Sequence, residues 1–225
     1  MNLELCDFCA RTEKTEILHE ISFTLPKKST TLLTGPNGAG KSTILRGIMG
    51  IGGLNYSGKV LLDGKDISKS SITERARNDI FMSFQEPVAI EGLSLIEMLR
   101  SALEARGEKL ALSAVKIRIS EALEKVGLSP FIASRELNYK LSGGEKKKCE
   151  IAQMLVLQPK LVLLDEIDSG LDAKSCKNIS KILHDYQEKS GASYLIVSHN
   201  LKILSELKPG QELNVENGRI VKKWS

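Results

Sequence analysis

The most constraining feature of this chain is the segment Gly35-Pro36-Asn37-Gly38-Ala39-Gly40-Lys41-Ser42, which fits G-x-x-x-x-G-K-[ST]. The run Thr30–Thr34 before it reads as a strand, and Lys41 to about Met49 after it as a helix stopped by Gly50 and Gly52-Gly53. A glycine-rich turn between a strand and a helix curls successive backbone N–H groups around an anion. The helix adds the positive end of its dipole. In such a nest Lys41 supplies a point charge for the β- and γ-phosphates of a nucleotide, and Ser42 a hydroxyl for Mg2+. Gly35, Pro36, Asn37, Gly38, Ala39, Gly40, Lys41, Ser42 and the adjoining Thr43 are therefore the candidate nucleotide-binding residues, and an α/β fold is expected around them.

The rest of the pattern agrees with an α/β chain. Residues 1–34 read as strands, with alternating apolar positions first, then Ile21–Leu25 and Thr30–Thr34 on either side of the break Pro26-Lys27-Lys28. Residues 58–68 read as a strand pair turned at Asp63-Gly64. Ile80–Phe84 reads as a buried strand, and Lys160–Leu164 and Tyr194–Val197 as further strands. From Ser94 to about Gly127 the period turns helical: Leu95, Met98, Leu99, Ala102 and Leu103 share one face, and Val115, Ile119, Ala122, Leu123 and Val126 another. Residues 142–158 form a helix opened by a Ser142/Glu145 capping box, and Ala173–Ser190 an amphipathic helix closed by Gly191. A short helix is expected at Leu201–Leu207, and a final hairpin turns at Asn217-Gly218. Strands alternating with helices imply a mostly parallel sheet covered on both faces.

Two further motifs carry chemistry. The apolar strand ending at Leu164 runs into Asp165 and Glu166, which places two carboxylates at the carboxyl edge of the sheet, where α/β folds bind ligands. Asp165 is suited to hold Mg2+, through water, and Glu166 to orient and deprotonate an attacking water. Leu141-Ser142-Gly143-Gly144-Glu145 starts a helix, but a capped helix start needs no glycine pair. Gly143 and Gly144 are expected to let a phosphate approach the backbone.

Composition excludes several classes. With 41% hydrophobic and 27% charged residues over 225 positions, this is a globular chain long enough to bury a core without disulfide or metal staples. No apolar run approaches the roughly 18–20 residues that span a bilayer, so membrane work is expected to fall to another chain. Met1–Glu4 has no basic stretch leading into an apolar core, and the cytoplasm is the expected compartment. Lys+Arg 32 against Asp+Glu 28 leaves +4 with both signs mixed, and the one tight basic cluster, Lys146-Lys147-Lys148, reads as a solvated helix face. No nucleic-acid partner is expected. The 4 cysteines, Cys6, Cys9, Cys149 and Cys176, fit a reducing compartment. Cys6 and Cys9 lack a second pair at zinc-site spacing and read as small residues in a strand.

Taken in order, the glycine-rich loop, Gln85 after the Ile80–Phe84 strand, the Leu141–Glu145 motif, Asp165-Glu166, Asp172 in Ser169-Gly170-Leu171-Asp172, and His199 after Tyr194–Val197 resemble an ATP-binding-cassette (ABC) ATPase over nearly the whole chain. The resemblance implies a P-loop fold with a mostly parallel sheet core, an antiparallel β subdomain and a helical insertion. It implies one domain over 1–225, with 1–91 and 159–225 as core and 92–158 as helical subdomain. It implies ATP and Mg2+, with Glu166, His199 and Gln85 catalytic: His199 on the γ-phosphate, and Gln85 touching Mg2+ or the water alongside Ser42 and Asp165. Ser142 and Gly144 are implied to meet nucleotide held by an opposite subunit, so that hydrolysis needs a head-to-tail dimer, and Gly143 and Asp172 are implied to bind nucleotide as well.

A finer resemblance lies outside those shared motifs. Ile80–Ser94, Ser142–Lys148 with Glu145 where most transporter ATPases carry Gln, Glu150–Met154 and Asp165–Asp172 are similar to the SufC family, the ATPase of the SUF iron–sulfur cluster assembly system. That implies SufB/SufD-type scaffold partners, reshaped by ATP-driven closure, with Glu86–Leu95 as the segment that passes closure on. Two departures stand out. No aromatic residue lies between Cys9 and Leu18, where Arg11 and Thr12 occupy the place of an adenine-stacking ring, so loose base selectivity is expected. Members of that family also tend to run further than Ser225, so a C-terminal extension is expected to be missing or trimmed. The competing readings are the nucleotide-binding subunit of a membrane transporter and an ATP-binding switch with little turnover; Glu166 and His199 argue against the latter. A repair ATPase of this class needs a long coiled coil between the glycine-rich loop and the Leu141–Glu145 motif, for which there is no room.

Overall fold

The computed structural model describes residues 1–198 and 206–224. In chain order the elements are β1 (Leu3–Arg11), β2 (Glu16–Leu25), β3 (Thr30–Thr34), α1 (Lys41–Met49), β4 (Asn55–Leu62), β5 (Lys65–Asp66), α2 (Ile72–Arg77) and β6 (Ile80–Met82). There follow β7 (Ile90–Ser94), α3 (Leu95–Ala105), α4 (Leu112–Lys125), a 3-10 turn at Pro130–Ser134, β8 (Glu136–Leu137) and α5 (Gly143–Leu157). The chain returns through β9 (Leu161–Asp165), α6 (Ala173–Ser190), β10 (Ser193–Val197), β11 (Gln211–Glu216) and β12 (Arg219–Trp224).

The central sheet runs β12-β11-β3-β10-β9-β6, parallel except for the edge strand β12. Its inner strands are continuous apolar runs because both faces are covered. Successive side chains alternate between two cores. Leu32, Val162, Leu164, Tyr194 and Ile196 face the core shared with α3, α4, α5 and α6. Leu33, Leu161, Leu163, Leu195 and Val197 face the core shared with α1 and the second sheet. That second sheet, β2-β1-β4-β5, is antiparallel. Its inward phase slips by one residue within β1, from Leu3 and Leu5 to Phe8 and Ala10, at a bulge where Asp7 takes φ 47°. Cys6 and Cys9 sit half-buried on either side of this bulge as free thiols, and no cluster of metal-ligating side chains occurs among the described residues.

Helix starts follow side-chain chemistry. α2, α3 and α5 each begin with a complete capping box, Ser71/Glu74, Ser94/Glu97 and Ser142/Glu145. Buried Arg75 on α2 closes the far end of α1: its guanidinium donates to the Gly47, Ile48, Ser68 and Ser70 carbonyls at 2.6–3.0 Å. These take up carbonyls that a helix C-terminus otherwise leaves unpaired. No helix among the described residues is long and apolar enough to cross a membrane.

Two expectations need correction. The strand expected at Ile80–Phe84 ends at Met82; Ser83 is buried, but Phe84 is 45% exposed because the chain leaves the sheet there. The Lys146–Lys148 run is not wholly a solvated face: Lys147 is buried, its ammonium taken up by backbone carbonyls. The expected helix at Leu201–Leu207 falls mostly outside the described residues.

Candidate nucleotide site

The sheet register gathers the site. Val197 pairs with Leu33 on one side and with Asp165 on the other, and Met82 pairs with Leu163. The carboxyl ends of β3, β10, β9 and β6 therefore line one edge, and the chain leaves each of them into a candidate segment. Gly35–Gly40 follows β3, Glu166 follows β9 and Gln85 follows β6. A cavity of about 320 Å³ at this edge is lined by Asn37, Gly38, Gly40, Lys41, Ser42, Gln85 and Glu166.

The loop is held from behind by the C-terminal hairpin. Gly35 has φ 131°, and a Cβ there would lie 2.0 Å from the Val215 carbonyl oxygen. The Gly218 N–H donates to the Ala39 carbonyl at 3.0 Å. Val215 and Gly218 are thus part of the loop's support, which the sequence motif did not reveal.

Lys41 folds back over its own loop, donating to the Gly35 and Pro36 carbonyls at 2.7 and 2.8 Å. Burial lowers its pKa, opposed by the charges of Glu166 and Asp165. Ser42 Oγ donates to Asp165 Oδ1 at 3.0 Å. Asp165 is buried, and its own N–H donates to Ser83 Oγ. Its carboxyl is pushed up chiefly by desolvation, with the Ser42 hydrogen bond and Lys147 opposing and Glu166 adding to the rise. A buried carboxylate beside a hydroxyl is a pair of hard oxygen donors, and this fits Mg2+. Glu166 takes φ 48°, donates its N–H to the Val197 carbonyl at 3.0 Å, and accepts from Gln85 Nε2 at 3.0 Å.

The remaining candidates lie elsewhere. Ser142 caps α5, its hydroxyl donating to Glu145 Oε2 at 2.8 Å, and neither Ser142 nor Gly143 nor Gly144 lines the cavity. Gly143 has open space around it, whereas a Cβ on Gly144 would sit 3.0 Å from the Gly170 carbonyl. Packing within the chain therefore accounts in part for Gly144, which the sequence had tied to phosphate alone. Asp172 caps α6, its carboxylate accepting from the Ser175 N–H at 2.8 Å. Thr43 is half-buried in the first turn of α1. His199 lies outside the described residues.

With this geometry in place the comparisons are decisive. A family model described as ABC transporter matches residues 18–169. The chain belongs to the ABC transporter family. It is an ATP-binding cassette of that family, an ATPase that converts ATP to ADP and phosphate. Similar proteins include a probable ABC transporter ATP-binding protein of Streptococcus pyogenes serotype M3, 36% identical over 97% of this chain and 87% of that one. Vegetative protein 296 of Bacillus subtilis is 34% identical over 98% and 85%, and the probable ATP-dependent transporter ycf16 of Trieres chinensis 34% over 98% and 90%. Among solved structures, an ATP-binding subunit of an ABC transporter superposes with a TM-score of 0.84 at 26% identity, covering 100% of this chain and 90% of that one. The dimeric cassette MJ0796 superposes at 0.88 with 21% identity, covering 99% and 98%, a likeness of fold.

Proposed function

We propose that this ABC cassette drives iron–sulfur cluster assembly by closing, with ATP, as a dimer on a SufB/SufD-type scaffold. The chemistry rests on one observation above all: Ser42, Gln85 and Glu166, from three separate segments, line one cavity beside the phosphate-binding loop, and Asp165 is hydrogen-bonded to Ser42 at its edge. Gly35–Gly40 N–H groups and Lys41 hold the phosphates, and Lys41 exchanges its two loop carbonyls for phosphate oxygens. Ser42, Asp165 and Gln85 would hold Mg2+, which when bound would neutralise charge on the phosphates. Glu166 accepts a proton from the water that attacks the γ-phosphorus, Gln85 orients that water, and His199 contacts the γ-phosphate. Ser142, Gly143, Gly144 and Asp172 act on the nucleotide of the opposite subunit.

The scaffold reading is supported by the segment after Gln85. Glu86–Ser94 is largely exposed, and it is tied to the chain just before the Leu141–Glu145 motif by the β7–β8 pairing and by Asn138 Nδ2 donating to the Val88 carbonyl at 2.9 Å. A segment joined to both Gln85 and Ser142 is suited to pass closure to a partner. The second reading, a transporter subunit, is favoured by the names of the similar proteins. Affinity capture of the full chain from native cytosol and from solubilised membranes separates them. Stoichiometric soluble scaffold proteins support the assembly role, and an integral membrane partner overturns it.

A further inference from the structure

Two charged side chains on α5 are buried and have no role in the chemistry described so far. Lys147 and Glu150 are 3% and 4% exposed and lie three residues apart, on one face of the helix. Lys147 Nζ donates to the Phe84 carbonyl at 2.5 Å and reaches the Asp165 carbonyl at 3.5 Å. Glu150 Oε1 accepts the Phe84 N–H at 2.8 Å, and its other oxygen, Oε2, is buried with no hydrogen-bond partner. A buried cation and a buried carboxylate are costly to keep where apolar residues would pack. Here both hold the backbone of Phe84, Lys147 reaching the Asp165 carbonyl as well, and the residue after Phe84 is Gln85, whose amide donates to Glu166 at 3.0 Å.

We propose that Lys147 and Glu150 are positioning residues for hydrolysis: they grip Phe84 by its N–H and its carbonyl and so fix where Gln85 meets Glu166. The grip makes α5 and the Gln85 segment move together. Ser142, at the start of α5, then reports to Glu166 without any contact between the two. A plain structural staple between α5 and the sheet edge has the same contacts but acts on stability alone. The inference rests on Gln85 and Glu166 having the roles proposed above.

The test is a double-mutant cycle on the full chain in the assembly that turns over ATP, with kcat and KM for Mg-ATP as readouts. Losing a charge-assisted hydrogen bond of this kind moves an equilibrium roughly tenfold. Glu150→Leu is expected to lower kcat about tenfold with KM changed less than about twofold, and Glu150→Gln, which keeps an acceptor for the Phe84 N–H, to retain most of the rate. In a Gln85→Ala background the further loss from Glu150→Leu is expected to shrink below about twofold. Equal losses in both backgrounds, or Glu150→Gln as impaired as Glu150→Leu, overturn the proposal. If Glu150→Leu does not fold, Lys147→Met in the same two backgrounds decides by the same criterion. If Gln85→Ala alone leaves kcat unchanged, the role of Gln85 fails and the proposal falls with it, an outcome distinct from additive losses on top of an impaired Gln85→Ala.

Discussion

Ser42 and Asp165, 123 positions apart in the chain, share a 3.0 Å hydrogen bond at the mouth of the phosphate-binding loop. The bond ties the first turn of α1 to the end of β9 and holds together the two oxygen donors proposed above for Mg2+. Ser42→Ala removes one donor and leaves the Asp165 carboxylate without its hydroxyl partner. The expected result is at least about a tenfold loss in Mg2+-dependent ATP affinity, with metal-free nucleotide binding nearly unchanged. Calorimetric titration with and without Mg2+ reads both.

Gly35→Ala tests the support of the loop by the C-terminal hairpin. The added Cβ would lie 2.0 Å from the Val215 carbonyl oxygen, at a φ of 131° that L side chains rarely adopt. Either the loop or β11 must shift, at a cost of about 1–3 kcal/mol in backbone strain alone. Nucleotide binding is expected to weaken and the thermal midpoint to fall together. A variant with full affinity and unchanged melting would separate the hairpin from the loop.

Arg75→Leu tests a purely structural role. The four carbonyls it serves include two at the end of α1, and burial lowers its pKa. Leaving buried carbonyls unpaired is expected to cost about 2–4 kcal/mol in urea unfolding, with ATP affinity preserved in the folded fraction.

Glu150 gives the fold a pH dependence. Its carboxyl is pushed from 4.5 up to about 7, by burial first, with the Phe84 N–H and Lys147 opposing and Asp165 adding to the rise. Between those values the folded chain keeps a proton that the unfolded chain has released, so stability from this group falls as pH rises from about 4.5 and levels off above about 7. The difference is worth on the order of 3 kcal/mol. Glu150→Gln has no such proton to lose. It is expected to match the parent at pH 5 and to melt higher than the parent at pH 8.

Much of this fold was legible because its elements have clean periods. The buried strands β9 and β10 are unbroken apolar runs, α6 matches its amphipathic period from Ala173 to Ser190, and the glycine-rich loop announces itself between a strand and a helix. α2 was missed because six residues carry too little period, although Ser71 and Glu74 mark its start. β7 and β8 pair across a long sequence gap with only a few residues each. The burial of Lys147 was hidden by its place in a lysine run. A signal was nonetheless present: Lys147, Ile151 and Met154 stand at i, i+4 and i+7, the buried face of α5. Glu150 shares that face, and only the structure shows that its partner is the Phe84 backbone. Of the site, the residues proposed to touch phosphate and Mg2+ stand in motifs legible in the sequence, while their neighbours Val215, Gly218, Ser83, Lys147 and Glu150 do not announce themselves there.

The central claim, that Glu166 is the base of an ATPase that works by closing as a dimer, is tested most directly by Glu166→Gln. Size-exclusion chromatography with light scattering, with and without Mg-ATP, is paired with steady-state phosphate release. Phosphate release is expected to fall at least about a hundredfold, consistent with loss of general-base catalysis, while Mg-ATP converts the variant to a stable dimer. Phosphate release at the parental rate, or no nucleotide-dependent dimer, would contradict that claim.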